Sequence, residues 1–307
     1  MSIKNSNDFI VGCACAIGCE IFYGLSFIFT KQAMESASQS ALLGWRFFIA
    51  FVVMSLLAAT GTVKINIKGK AIGPLMLISL FYPCIYFIGE TNGIRLTTAS
   101  ESGVLISCIP IASLTASALI LKKKPSLAQV TGILITLAGV LVTIFVVGVS
   151  SSFSLTGYAF LILAVVSYAL YSVLVDKASD YSGAEITYSM LMAGAAIFVT
   201  LAAAEALNGG TFTELLLLPL RSKWFLTAIL YQGIGCSVLA FFMGNVAIAT
   251  IGVNRTASFV GLATLFAVIS GSLVLKEPFT IWQAVGAALI VAGVYIANMK
   301  KRGGKSA

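Results

Sequence analysis

The sequence contains no histidine, and only 10% of its 307 residues are charged. Soluble proteins carry about 25% charged residues, so this chain lacks the polar surface that a water-exposed fold needs. Without histidine, neither a Ser-His nor a Cys-His nucleophile can form. The six cysteines include no Cys-x-x-Cys pair, so a zinc site and a disulfide framework both lack support. We therefore expect no enzyme activity, no metal and no cofactor.

Apolar side chains are in excess and make up 59% of the residues. A membrane-spanning helix needs about 20 mainly apolar residues to cross about 30 Å of hydrocarbon. Segments of this length alternate with short polar stretches, which predicts an all-α membrane protein of ten transmembrane helices without a soluble domain. The predicted spans cover residues 9–30, 40–60, 71–91, 98–120, 126–147, 155–175, 184–206, 223–247, 255–275 and 280–298.

The formal net charge of +8 could indicate nucleic-acid binding, but the basic residues lie in short loops and in the C-terminal tail. If the N-terminus is cytoplasmic, thirteen Lys and Arg residues fall on the cytoplasmic side and five on the other. The positive-inside rule then places both termini in the cytoplasm. We expect a multi-pass protein of the inner membrane of a bacterium, surrounded by the lipid bilayer and binding no nucleic acid.

Two parts of the chain repeat at a constant offset of 154 residues. The matched pairs are Lys122 with Lys276, Gln129 with Gln283, Gly132 with Gly286 and Gly139 with Gly293. Each half contains five predicted spans, and an odd number of crossings inverts the second half relative to the first. The sequence therefore predicts two inverted five-helix repeats, residues 1–149 and 150–307. Inverted repeats are typical of secondary transporters, whose halves open a midplane site alternately to each side.

The chain also contains several short motifs, namely Tyr23-Gly24-Leu25-Ser26 followed by Lys31, Trp45-Arg46-Phe47-Phe48, and the Gln-x-x-Gly…Ala-Gly-Val endings of the fifth and tenth spans. In these motifs and their order the chain resembles the drug/metabolite transporter superfamily, and specifically its ten-helix EamA-type transporters. The chain departs from the family pattern at Tyr23, where Trp is usual, and at Lys123, where Glu is frequent. The resemblance implies that spans 1–4 and 6–9 surround a central cavity. It also implies that spans 5 and 10 lie outside and support packing or dimer contacts, in a monomer or homodimer.

Glu20 lies about eleven residues into the first predicted span, roughly 17 Å deep at about 1.5 Å per residue. A charge at that depth costs about 2.5–3.5 kcal/mol on insertion scales, so we expect Glu20 to face the bundle interior. The stretch from Glu20 to Gly24 is also similar to the small multidrug members of the superfamily, whose first-helix Glu binds protons or cationic substrates. The alternative is a structural glutamate bonded to a neighbouring helix.

Tyr82, Tyr86 and Glu90 follow one another at intervals of four residues, which places them on one face of the third predicted span. Aromatic faces and carboxylates attract ammonium groups. Tyrosines that anchor a helix at the membrane interface are the alternative. Arg46, near the outer end of the second span, is either a clamp for a carboxylate or a side chain that reaches to the interface.

Pro83 and Pro110 interrupt the third and fourth predicted spans. A carbonyl freed by proline needs water or a polar neighbour, so we expect both kinks to face the cavity. In the second half, Tyr168, Tyr171 and Gln232 supply aromatic and amide groups without charge. They would suit an uncharged or zwitterionic ligand, and packing is the alternative explanation for the tyrosines.

The expected function is that of a secondary transporter of a small organic metabolite, with an amino acid or an amine favoured and protons as the candidate coupling ion at Glu20. The alternative within transport is a broad-specificity exporter of drugs or organic cations. An intramembrane enzyme acting on lipid-linked substrates fits less well, because the sequence has no histidine and no metal motif. A non-transporting scaffold gives no reason to bury Glu20.

Overall fold

The computed structural model describes residues 6–34, 37–145, 154–274, 276 and 280–299. The predicted boundary between the repeats, at residues 149 and 150, lies outside these ranges, as does the side chain of Lys31. Ten helices of the described chain are long and apolar enough to cross a membrane, which confirms the predicted number of spans. Spans 1 to 10 are Asn7–Thr30, Gln39–Ala59, Gly73–Leu96, Glu101–Ile120, Leu127–Phe145, Leu155–Lys177, Gly183–Asn208, Lys223–Ile251, Val253–Val274 and Ile281–Asn298.

Span 1 belongs to one continuous helix, Ser6–Ala33, whereas spans 3 and 4 are interrupted where the prolines predict. Span 3 consists of Gly73–Ser79, a π-helical turn over Leu80–Ile85, and Tyr86–Leu96. Tyr82, directly before Pro83, has non-helical backbone angles (φ −141°, ψ 115°). Span 4 consists of Ala99–Ile106 and Ile109–Ile120, with Pro110 in the first turn of the second piece.

Spans 8 and 9 are interrupted at positions that match those of spans 3 and 4. Span 8 consists of Lys223–Leu230, a π-helical segment over Tyr231–Ala240, and Phe241–Ile251. Span 9 consists of Val253–Phe259 and Leu262–Val274. Shifted by 154, the break of span 4 at residues 107 and 108 coincides within a residue with that of span 9 at 260 and 261. The repeat is therefore present in the backbone as well as in the sequence.

Spans 5 and 10 pack against each other through the repeated glycines. A Cβ atom added to Gly132 would lie 2.5 Å from the backbone of Gly293, and one added to Gly139 would lie 2.6 Å from the carbonyl oxygen of Gly286. At the offset of 154, Gly132 corresponds to Gly286 and Gly293 corresponds to Gly139, so these two contacts are copies of each other. The pairing runs antiparallel about an approximate two-fold axis, which confirms that the repeats are inverted.

Lys122, before span 5, and Lys276, before span 10, share an uncommon backbone conformation. Lys122 has a φ of 55° and Lys276 a φ of 54°, and no other non-glycine residue of the described chain has a positive φ. A positive φ is uncommon outside glycine. Its occurrence at two positions 154 residues apart is a further match between the repeats.

The other spans pack against spans of the opposite repeat. Span 2 packs on span 7, span 3 on span 6, and span 1 on spans 8 and 9. The largest cluster of buried apolar side chains lies along these contacts and contains Phe47, Tyr82, Phe87, Tyr171 and Phe241. The core of the protein is therefore the interface between its two repeats, which is where a midplane site would form.

The longest loop, between spans 7 and 8, holds a short helix that the sequence analysis leaves as a loop. This helix, Phe212–Arg221, has no buried residue, and the backbone carbonyl of Leu215 accepts a 3.0 Å hydrogen bond from the Trp45 indole N–H. Glu214 and Arg221 lie seven residues apart and therefore share one face, whereas Phe212, Leu215, Leu216 and Leu220 lie on the opposite face. Such a helix suits the membrane surface, where an apolar face contacts lipid and a polar face contacts water.

Candidate functional site

Predicted aromatic residues of spans 1, 3 and 6 meet in one cluster centred on Tyr82. The centroid of the Tyr82 ring lies 5.0 Å from that of Tyr86, 5.3 Å from that of Tyr168 and 4.8 Å from that of Tyr171. Its hydroxyl oxygen lies 3.3 Å from the hydroxyl oxygen of Tyr23. These separations are typical of attractive aromatic pairs. The structure thus brings together five of the predicted site residues, from both repeats, in what we call the tyrosine cluster.

Two phenylalanines complete the tyrosine cluster and were missed by the sequence analysis. The ring centroids of Phe87 and Phe241 lie 5.7 Å and 4.9 Å from that of Tyr82. Both side chains are buried. With 20 phenylalanines in an apolar chain, no single one carries a signal that marks it as part of a site.

Glu20 lies in the middle of span 1, and only 5% of the residue is exposed. Its carboxyl group makes no hydrogen bond or ion pair with any residue that the structure describes. Glu20 lies three residues before Tyr23, a member of the tyrosine cluster, and so lies one helical turn away from it on span 1. An unpaired polar group in a protein interior costs about 1–3 kcal/mol of stability, so the position of Glu20 needs a reason other than folding.

Glu90 lies on the same face of span 3 as Tyr86, one helical turn closer to the outer end of the span. The Tyr86 hydroxyl donates a 2.9 Å hydrogen bond to Glu90 Oε1. Glu90 is partly exposed, whereas the Tyr86 side chain is buried. The predicted stripe of two tyrosines and a carboxylate is therefore continuous, and it ends at a carboxylate that is partly exposed on the protein surface.

Arg46 points into the protein rather than toward the membrane interface, so the interface alternative for Arg46 is wrong. It is 7% exposed, and its Nε donates a 2.8 Å hydrogen bond to Ser237 Oγ. Its guanidinium carbon lies 4.9 Å from the ring centroid of Phe87, which is a cation–π contact. No carboxylate of the described residues, including that of Glu90, lies within ion-pair distance of Arg46.

Gln232 of span 8 orients one side of this guanidinium. Its amide NH2 donates a 2.8 Å hydrogen bond to Thr30 Oγ1, which leaves the amide oxygen, Oε1, 3.5 Å from Arg46 Nη1. Gln232 is only 2% exposed. Arg46 and Gln232, which the sequence analysis selected separately, therefore lie side by side at the repeat interface.

Asn245 of span 8 positions Tyr171 of span 6. Tyr171 donates a 2.7 Å hydrogen bond to Asn245 Oδ1, and the Asn245 amide donates a 3.0 Å hydrogen bond to Thr187 Oγ1. All three residues are buried. A fully bonded polar network of this kind fixes side-chain geometry in an apolar interior.

The chemistry of the centre follows from these groups. Tyr82 and its neighbours offer aromatic faces to a cation, Glu20 and Glu90 offer carboxyl groups, and Arg46 offers a planar donor that matches a carboxylate. Charged or polar groups lie on several sides of one aromatic cluster. The site can therefore contact a small ligand that has an apolar body and charged ends.

Ten spans in two inverted repeats, with a polar and aromatic centre between them, are typical of a membrane transporter. The chain belongs to the EamA-like transporter family, whose model matches residues 10–145 and again residues 155–299. The family expectation drawn from the Tyr23, Trp45 and glycine motifs is thereby confirmed.

Curated proteins similar to this chain are named as transporters. Uncharacterized transporter YcxC of Bacillus subtilis (strain 168) is 30% identical over 278 residues, which cover 90% of this chain and 89% of that protein. Uncharacterized transporter YetK of the same organism is 25% identical, over 91% of this chain and 84% of that protein. A solved crystal structure with 18% identity has the same fold, with a TM-score of 0.77 over 96% of this chain and 97% of that chain.

Proposed function

We propose that this protein is a secondary transporter of a small organic metabolite, with an amino acid or an amine favoured, and that it works by alternating access. The observation that carries the proposal is Glu20, a carboxyl group buried at mid-span without a partner in the described chain. A ligand ammonium group or a proton would supply the missing partner. Glu20 is therefore the proposed binding and coupling residue.

Arg46 favours a zwitterionic ligand over a simple amine. Its guanidinium is buried beside the tyrosine cluster and bonds only to neutral groups, Ser237 Oγ and Gln232 Oε1, in the described structure. A buried charge is costly unless it is paired. A ligand carboxylate would pair with Arg46 and an ammonium group of the same ligand would pair with a carboxyl group of the site, so a zwitterion leaves neither of its charges unpaired.

The tyrosine cluster favours a ligand with an apolar portion. The rings of Tyr86, Tyr168 and Tyr171 all pack against the ring of Tyr82, edge-on or tilted. These rings would cover an apolar side chain and attract an ammonium group.

An exporter of organic cations is the second candidate. It is favoured by two carboxyl groups, that of Glu20, one helical turn before Tyr23, and that of Glu90, which accepts a hydrogen bond from Tyr86. The nearby Arg46 opposes it, because a ligand with only positive charge would be repelled by the guanidinium and would leave it unpaired.

We also propose that the protein lies in the inner membrane of a bacterium with both termini in the cytoplasm, as a monomer or a homodimer. The orientation is supported by the thirteen basic residues that this arrangement places on the cytoplasmic side. The glycine faces of spans 5 and 10 pack against each other within one chain, so a dimer would need another surface.

A ligand screen on the purified protein tests the proposal. We expect amino acids with apolar side chains to raise the melting temperature, and their decarboxylated amines and methyl esters to raise it less. The same amino acids should then exchange across the membrane of reconstituted vesicles. Stabilisation and flux by unrelated organic cations alone would favour the exporter, and stabilisation by sugars or nucleosides alone would contradict both candidates.

A further inference from the structure

Asp176 joins the two repeats at the end of the bundle where span 1 begins and span 10 ends, which we call the inner end. One carboxylate oxygen of Asp176, Oδ1, lies 2.6 Å from Lys123 Nζ, in the turn between spans 4 and 5. The other, Oδ2, accepts a 3.1 Å hydrogen bond from the backbone N–H of Val253, at the start of span 9. One carboxylate thus connects a turn of the first repeat with two helices of the second.

This ion pair is buried on one side only. The Asp176 side chain is 7% exposed, whereas the Lys123 side chain is 45% exposed. Exposed partners make weak ion pairs because water competes with them. The contact can therefore hold the inner end in one state and still break in every transport cycle.

Two cavities lie on either side of Val253. A recess of about 340 Å³ at the inner end is lined by Lys123, Asp176, Val253 and their neighbours. A smaller cavity, of about 10 Å³, lies deeper and is lined by Val253, Ser113, Tyr168 and four further residues. The smaller volume is close to the space that one water molecule needs. Because Tyr168 belongs to the tyrosine cluster, the two cavities lead from the inner end to the proposed site.

The unpaired hydroxyl of Ser113 indicates that water enters the smaller cavity. The Ser113 side chain is completely buried, and its hydroxyl has no hydrogen-bond partner among the described residues. The hydroxyl of Ser117, one helical turn further along span 4, is also buried without a hydrogen-bond partner among the described residues. Unpaired hydroxyls in a closed interior are costly, and water entering between spans 4, 6 and 9 would satisfy the Ser113 hydroxyl.

We propose that Asp176 is a positioning residue for transport, whose bonds to Lys123 and Val253 close the inner end of a route that runs between spans 4, 6 and 9. This inference rests on the proposed function, because the route leads to the proposed site. When the Asp176 contacts break, the short helix Val253–Phe259 moves away from span 6 and joins the two cavities. The break at residues 260 and 261 separates that helix from the rest of span 9 and supplies the hinge.

A second cross-repeat ion pair at the inner end does not lie on this route. Lys70 Nζ lies 2.8 Å from Glu185 Oε2, between the loop after span 2 and the start of span 7. Neither residue lines either cavity. This pair joins the repeats elsewhere, and Asp176 is the carboxylate that stands between the recess and the proposed site.

Cysteine labelling tests the role of Asp176 without any substrate. Ser113→Cys places a thiol in the smaller cavity, and a membrane-impermeant thiol reagent is added to vesicles that expose the inner end. Tandem mass spectrometry that locates the label within its peptide separates residue 113 from the six native cysteines, of which Cys108 lies five residues away. We expect Asp176→Asn to raise the labelling rate roughly fivefold, the shift that loss of one weak ion pair produces. Ser172→Cys, which lines the same cavity, is the second reporter.

The matched control is Asp180→Asn, which removes an exposed carboxylate four residues further along the chain. We expect it to leave labelling at residue 113 unchanged, and we expect Asp176→Glu, whose carboxylate can still accept from both Lys123 and the Val253 N–H, to label more slowly than Asp176→Asn. Unchanged labelling of both reporters in a folded Asp176→Asn variant would overturn the proposal. Because no substrate is present, this outcome is independent of the ligand screen, in which failure would overturn the proposed substrate instead.

Discussion

Arg46 and Ser237 belong to different repeats, and Arg46 Nε donates a 2.8 Å hydrogen bond to Ser237 Oγ inside the protein. The bond joins span 2 to span 8, two helices that alternating access would move relative to each other. It holds the guanidinium beside Phe87 and the tyrosine cluster rather than at the membrane surface. A permanent positive charge is thereby fixed next to a group of rings that would otherwise suit any cation.

Arg46→Gln should weaken binding of amino acids about tenfold or more, because a charge-assisted hydrogen bond to a ligand carboxylate is lost. Binding of the matching decarboxylated amine should stay the same or improve. Titrations followed by thermal shift measure both affinities. Ser237→Ala is the control, since it removes a partner of Arg46 but keeps the charge. Equal losses for the amino acid and the amine would contradict the carboxylate role.

Tyr86→Phe should raise the KM for uptake by roughly threefold to tenfold, because Glu90 loses the hydrogen bond that orients it while the ring remains in place. Tyr295→Phe makes the same chemical change on a residue that is 70% exposed, and its KM should match that of the unmodified protein. Uptake into vesicles at several substrate concentrations gives both values. If the two variants behave alike, Glu90 does not contact the ligand.

Gly132→Ala should destabilise the protein by about 1–3 kcal/mol, because the new Cβ would lie 2.5 Å from the backbone of span 10 and neither helix can yield locally. Gly73→Ala is the matched control, since nothing lies within 4 Å of a Cβ at that position. Thermal unfolding in detergent compares them. A Gly132→Ala variant as stable as Gly73→Ala would mean that spans 5 and 10 are not in close contact.

The sequence was sufficient to predict the spans and the repeat, because each depends on composition and spacing alone. The exceptions are the ends of spans 3 and 8, which continue to Leu96 and Ile251 rather than to residues 91 and 247. Both spans contain π-helical segments, and a window of about 20 residues assumes a regular helix. The helix Phe212–Arg221 was missed because Gly209, Gly210 and Pro219 are typical of a loop.

The pairing of site residues could be predicted only in part. Tyr86 and Glu90 share one face of a regular helix, so their proximity follows from helical spacing, whereas Tyr82 has non-helical backbone angles and meets Tyr86 across the interruption of span 3. Arg46 and Ser237 are 191 residues apart and are not related by the repeat. Nothing in the sequence fixes how the halves rotate against each other, so the contacts of Arg46, Phe87 and Phe241 needed the three-dimensional structure.

Reporter fusions test the orientation of the chain. A reporter that is active only in the cytoplasm should be active when it is fused after residue 307, and inactive when it is inserted at Gly210 in the loop between spans 7 and 8. The charge distribution predicts this result, because most Lys and Arg residues lie in the loops on the side of both termini. The reverse pattern of activity would contradict both the orientation and the assignment of the inner end.

Uptake driven by a pH gradient into sealed vesicles bears most directly on Glu20. Glu20→Gln should abolish the dependence of uptake on the gradient, because the amide cannot exchange a proton, while the protein elutes as a folded species from size-exclusion chromatography. Glu205→Gln, at an exposed glutamate of span 7, should keep the full dependence. Gradient-driven uptake that survives unchanged in Glu20→Gln would contradict the coupling role of the buried carboxyl group.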